Sequence, residues 1–142
     1  IGMGSPIHQD NFYWCLKPYE VGYGLTMWVA IDSSGPENGG VTYLNGTQSL
    51  GLFDHKNSYA PGSSQTVADA DKLLKKFEQT TPSLKPGDVL IHDAHVVHLS
   101  EPNTSDQSRS GVTFQYQSSE AVLDSQRMED YEENLSKHMF KR

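Results

Sequence analysis

The chain has 142 residues, with 18 acidic against 11 basic side chains and a formal net charge of -7. That length suits one domain around a single core, and the acidic balance argues against a phosphate-backbone ligand, whose binders carry a basic face. At 35% hydrophobic and 20% charged, with 12 Gly and 7 Pro, the composition is that of a folded, turn-rich protein and excludes a disordered one. The longest apolar run, Leu25 to Ile31, falls far short of the ~20 residues of a membrane-spanning helix. No basic region followed by an apolar stretch marks an export signal. The expectation is a cytoplasmic protein with small-molecule or protein partners that touches neither nucleic acid nor membrane. Cys15 is the single cysteine, so no internal disulfide forms, and beside Trp14 it reads as a packed thiol.

In chain order, the first feature is "IHQDNFYW", where His8 and Asp10 stand two apart with only seven residues ahead of them, so the chain reads as a domain entered partway through. "GLTMWVAIDSSGPENGG" from Gly24 predicts a buried strand closed by a turn cluster. "VTYLNG" and then "LGLF" are short strand candidates. From Thr66 to Gln79, Val67, Ala70, Leu73, Leu74 and Phe77 recur at helical spacing behind a Thr66 cap, which predicts the one helix in the middle of the chain. Lys85 to Asp88 make a turn, and Val89–Ile91 and Val96–Leu99 are β-rich. "SGVTFQYQ" from Ser110 predicts the last strand, with Val112, Phe114 and Tyr116 on one face. After Ser118 the charged composition predicts a solvated terminal helix or a frayed tail. Short strands at short intervals make residues 1–142 a single, mainly β domain, a barrel or a sandwich.

On an extended strand, positions i and i+2 share a face, so His8 and Asp10 can close on one ion. A third ligand from a distant strand would complete a two-histidine, one-carboxylate triad, the pattern of non-haem Fe(II) oxygenases. His98 ends a β-rich run, and Arg109 lies eleven residues later, where its guanidinium could fork onto the carboxylate of a cosubstrate that also reaches the metal. His92, His95 and His98 have a zinc-like spacing, but on a strand positions three apart face opposite ways. His92 is expected to be packed or to support the metal site, His95 to lie in a loop, and His55 and His138 to lie on the surface. Trp28 and Tyr43 are expected in the core, Asn38 in a turn, and Asn103 as a tie across the loop between His98 and Arg109. No G-x-S-x-G elbow accompanies Asp93 and His92, which excludes a serine hydrolase of that kind.

The "HQD" triplet, "WVAIDSSGPENGG", "LKPGDVLIH" and "HLSEPNTSDQSRSGVTFQY", in this order from His8 to about Tyr116, resemble the phytanoyl-CoA dioxygenase (PhyH) family of Fe(II)- and 2-oxoglutarate-dependent oxygenases. The resemblance implies a double-stranded β-helix, a jelly roll or cupin-like barrel, with one or two flanking helices and without the N-terminal part that family members carry ahead of H-x-D. It implies iron held by His8, Asp10 and His98, the far carboxylate of 2-oxoglutarate held by Arg109, and Ser100 assisting. The implied reaction couples decarboxylation of 2-oxoglutarate to succinate, using O2, with hydroxylation of a small organic substrate. Relatives that halogenate have a small residue in place of the carboxylate, so Asp10 favours hydroxylation. "LNGTQSL" stands where many relatives have a Pro-Gly-Ser-His-like turn, and substrate choice is expected to differ accordingly. Two alternatives stay open: a catalytically inactive or incomplete cupin-like metal-binding module, and a Zn or Mn cupin enzyme. A missing first strand would leave a sheet edge through which chains could pair into a homo-oligomer.

Overall fold

A computed structural model describes residues 2–58, 60 and 63–139. In chain order the elements are β1 (Ser5–His8), α1 (Asp10–Trp14), β2 (Leu16–Lys17), β3 (Gly24–Ala30), β4 (Val41–Leu44), β5 (His55–Asn57), β6 (Gln65–Val67), α2 (Ala70–Lys76), β7 (Gln79–Thr80), β8 (Val89–Asp93), β9 (His98–Ser100), β10 (Gly111–Gln117), β11 (Val122–Leu123) and α3 (Ser125–Met139). Two antiparallel sheets carry the fold, one ordered β1-β9-β4-β7 and the other β10-β3-β8. They enclose a cavity lined from both sides. Two short ribbons, β5 with β6 and β11 with β2, flank them. None of the helices among the described residues is long and apolar enough to cross a membrane.

Strand alternation divides the four-stranded sheet into two chemistries. Ile7, Leu44 and Val97 point away from the cavity and form the buried core with Val67 and with Leu73 of α2, against which Phe53, Leu74, Phe77 and Leu99 pack. Their neighbours His8, Tyr43 and His98 carry the polar side. The pairing register sets His8 and Tyr43 on either flank of His98. A single core face thus positions every polar residue of the opposite face.

The three-stranded sheet departs from the expected buried strand. Thr26, Trp28, Thr113, Gln115 and His92 line the cavity, while the other face leaves Leu25, Val89, Ile91, Val112, Phe114 and Tyr116 exposed, Ile91 by 65%. The alternation expected for Val112, Phe114 and Tyr116 is present, but it is directed outward. Gly111 is required by the cavity wall: a Cβ there would lie 2.1 Å from Cζ2 of Trp28.

Other expectations are corrected. The helix expected over residues 66–79 is only Ala70–Lys76, because Thr66 belongs to β6, paired with β5, and its hydroxyl donates to the Ile7 carbonyl at 3.0 Å instead of capping a helix. "LGLF" is not a strand. A 3-10 turn over Thr47–Leu50 leads into it, and the Gln9 side chain occupies its backbone, donating to Gly51 O at 2.8 Å and accepting from Phe53 N at 2.8 Å. β10 is followed by the two-residue strand β11. The tail forms the expected terminal helix, α3, while α1 is a third helix beyond the one or two expected; α3 is docked, with the Arg127 guanidinium over the Phe12 ring at 5.0 Å and Tyr131 packed edge-on against Phe12 and Tyr13.

Leu44 is wholly buried, so Leu44→Ala is expected to cost about 2–5 kcal/mol of unfolding free energy. Ile91→Thr, on the bare face, should change it by less than about 0.5 kcal/mol. Urea titrations of the two variants check this contrast.

Candidate metal centre

The i, i+2 geometry of His8 and Asp10 is realised at a junction, with His8 ending β1 and Asp10 opening α1. His98 begins β9, directly opposite His8. The structure brings these three together: one donor atom from each lies within 4.8 Å of the other two. Nε2 of His8 and Nε2 of His98 are both 3.7 Å from Oδ1 of Asp10.

Hydrogen bonds determine which atoms face inward. Nδ1 of His8 contacts the Pro6 carbonyl at 2.6 Å, and Nδ1 of His98 contacts the Val96 carbonyl at 3.1 Å. A carbonyl only accepts, so each Nδ1 carries a proton, and in its neutral form each ring turns an Nε2 lone pair to the centre. Burial holds His98 neutral, pushing its pKa down to about 3, with nearby His8 adding to the effect. Burial by itself raises the Asp10 pKa, but the hydrogen bonds from His92 and from the Thr26 hydroxyl outweigh it, and the carboxyl sits well below the usual carboxylate range. Thr26 donates to Oδ2 of Asp10 at 2.5 Å, and Nε2 of His92 donates to the same oxygen at 3.2 Å. Oδ1 and the two Nε2 atoms are therefore three converging lone pairs. Two imidazoles and a carboxylate are the donor set that non-haem Fe(II) takes, so the residues fit that metal.

The cavity at this centre has a volume of about 260 Å³ and includes Ser5, Trp28, Val41, Leu99 and Ser100 in its lining. No lysine or arginine is among its described lining residues. Ser100 lies in the wall, its hydroxyl oxygen accepting from Ser5 N at 3.0 Å. Arg109 does not line this cavity. It lines a separate polar one of about 270 Å³ with Gly2, Asn103 and Ser105, and its Nε is buried without a hydrogen-bond partner among the described residues. An arginine with an unused buried donor fits an anionic group such as the far carboxylate of 2-oxoglutarate.

With this geometry in place, the comparisons with known proteins become decisive. The model of the phytanoyl-CoA dioxygenase (PhyH) family matches residues 1–111. The chain belongs to the phytanoyl-CoA dioxygenase family. It is 32% identical over 119 residues to the phytanoyl-CoA dioxygenase domain-containing protein 1 homolog of Dictyostelium discoideum, covering 82% of this chain and 41% of that protein. To the 2-aminoethylphosphonate dioxygenase of uncultured bacterium HF130_AEPn_1 it is 30% identical over 115 residues, covering 81% and 40%. The chain thus spans less than half the length of these relatives. Among solved structures, the non-heme monooxygenase ThoJ shares its fold with a TM-score of 0.68 at 24% identity, over 86% of this chain and 43% of that one. The epimerase SnoN, solved with Fe3+, alpha ketoglutarate and nogalamycin RO, gives a TM-score of 0.65 at 24% identity, over 86% and 45%.

Within this PhyH domain several histidines differ from expectation. His95 lies in the loop between β8 and β9, as expected, but is buried there, its Nε2 2.9 Å from Asn11 Nδ2 and its backbone nitrogen donating to Asp93 at 2.8 Å. His55 is half-buried and stacked on Phe12 at 4.1 Å. His138 has a side chain outside those described. Trp28 and Tyr43 are cavity walls and not core. Asn103 does tie its loop, donating to Gln107 O at 2.7 Å and accepting from Ser105 N at 3.0 Å, and Asn38 braces its turn by accepting from Gly35 N at 2.9 Å. In "LNGTQSL", Thr47 is buried and its hydroxyl accepts from Val97 N at 2.9 Å, while Gln48 borders a second cavity shared with Tyr43 and His92.

Sequence reasoning missed Gln9 and Thr26. Thr26 is a polar residue in an otherwise apolar strand, and that was the available signal. Gln9, between His8 and Asp10, is wholly buried, and it spans three backbone groups, Gly51 O, Phe53 N and, at 2.6 Å, His95 O. Its own N–H donates to Nε2 of His55 at 3.3 Å. His55 must be neutral to accept that bond, and burial pushes its pKa down to about 4. The unfolded chain therefore binds a proton here that the folded one refuses. The stabilisation is complete above about pH 6.5 and is lost as pH falls from there toward about 4. His55→Phe keeps the stack without the titrating nitrogen. It should reduce the acid loss of metal-free protein by on the order of 1 kcal/mol, read as the difference between urea unfolding at neutral pH and near pH 4.5.

Proposed function

We propose that residues 1–142 form a jelly-roll domain of an Fe(II)- and 2-oxoglutarate-dependent dioxygenase that hydroxylates a small organic substrate with O2. The observation that carries this reading is the convergence of His8 Nε2, Asp10 Oδ1 and His98 Nε2 in a chain of the PhyH family. The relatives named as dioxygenases and the SnoN structure with iron and alpha ketoglutarate support the same cofactors. His8, Asp10 and His98 would hold the metal, Arg109 the far carboxylate of 2-oxoglutarate, and Ser100 would offer a hydroxyl beside it. Iron bound there supplies the O2-dependent oxidation that consumes 2-oxoglutarate. The chain's own part is orientation: the Nδ1 hydrogen bonds fix both ligand rings, and Trp28, Val41 and Leu99 form an apolar wall that limits water at the centre.

A second reading, a metal-binding module that does not turn over, draws on the position of Arg109 outside the metal cavity. Binding of 2-oxoglutarate separates the two. Under anaerobic conditions the iron-loaded protein should bind 2-oxoglutarate, Asp10→Ala should abolish iron binding, and Arg109→Ala should weaken 2-oxoglutarate binding roughly 10- to 100-fold while iron still binds; once O2 is admitted, wild type should form succinate and Asp10→Ala should not. Calorimetric titration checks the affinities. Iron binding without 2-oxoglutarate binding would favour the module.

A further inference from the structure

Thr26 and His92 face each other in the β3–β8 register, and both donate to Oδ2 of Asp10. Oδ1 has no hydrogen-bond donor among the described residues and is the oxygen nearest Nε2 of His8 and of His98. A carboxylate can give a metal one oxygen or two, and an oxygen already engaged by a donor is withheld. We propose that His92, with Tyr43 behind it, is a positioning pair that reserves Oδ2 of Asp10 and restricts this ligand to one oxygen toward the metal. The inference rests on the iron-site reading given above.

Tyr43 acts one step further out. A carboxylate only accepts, so Nε2 of His92 carries a proton, and in the neutral form of the ring Nδ1 is then the acceptor. The Tyr43 hydroxyl meets that Nδ1 at 2.9 Å and donates to it, which fixes the tautomer that serves Asp10. Tyr43 stands on β4 and His92 on β8, so the pair reaches the ligand across the space between the two sheets. A carboxylate held to one oxygen leaves three adjacent octahedral positions free for cosubstrate and O2, whereas one bound through both leaves two.

Co(II) serves as the probe, because its affinity is measured by calorimetry and its visible bands report coordination without turnover. His92→Leu removes the donor, His92→Gln returns an N–H to the same reach, and Tyr43→Phe removes only the hydroxyl. His92→Leu should bind Co(II) roughly 10- to 100-fold more weakly, with shifted bands at saturation. His92→Gln should recover most of that loss, Tyr43→Phe should fall between, and the melting temperatures of the metal-free forms should stay near wild type. Equal affinities and bands in all four proteins would overturn the proposal, as would equal losses for His92→Leu and His92→Gln. If His92→Leu does not fold, Tyr43→Phe decides: wild-type affinity and bands there overturn it. A wild-type protein that binds no Co(II) refutes the iron site itself, an outcome distinct from a working site indifferent to His92 and Tyr43.

Discussion

A nearly buried carboxylate with no lysine or arginine beside it among the described residues is the constraint on which the rest of this structure turns. The Asp10 side chain is 13% exposed, and the described lining of its cavity offers only hydroxyl, amide, apolar and imidazole groups. A charge removed from water is costly unless hydrogen bonds or opposite charge replace the solvent. Here two donors take one oxygen, and the other is left to two imidazole nitrogens that present lone pairs. In the absence of a cation those three atoms repel one another electrostatically, and a divalent ion converts the repulsion into ligation. The arrangement is thus expensive as architecture alone and reasonable as a metal site.

The same constraint explains why the surroundings are so polar. Gln9 is fully buried because it replaces a missing ladder, bonding three backbone groups that belong to two different segments. Asn11 does comparable work two residues on, where its side chain both donates to and accepts from Leu16. Each polar side chain in the stretch from His8 to Asn11 is committed to a named partner, so His8 and Asp10 cannot shift without breaking bonds behind them. That is the kind of support that keeps a site within the tolerance catalysis requires.

Much of this was legible in the sequence, for identifiable reasons. Positions β3, β4, β8, β9 and β10 follow from β-branched and aromatic runs closed by glycine and asparagine turns, and the i, i+2 rule placed His8 and Asp10 together. Distance in the chain concealed the rest. Thr66 reads as a helix cap because its local pattern is helical, but β5 and the Ile7 carbonyl outbid that propensity. The outward direction of Val112, Phe114 and Tyr116 could not be told from alternation, which is identical for either face. His92 stood six residues before His98 with no local sign that its partner was Asp10, eighty-two residues earlier. Register, and not residue type, made that contact.

An anaerobic crystal structure of the protein with Fe(II) and 2-oxoglutarate tests the account most directly. It should show the metal on Nε2 of His8, Nε2 of His98 and Oδ1 of Asp10, with Oδ2 still bonded to Thr26 and His92 and with Arg109 on the far carboxylate of 2-oxoglutarate. A metal bound elsewhere, or held through both oxygens of Asp10 with His92 displaced, would contradict it.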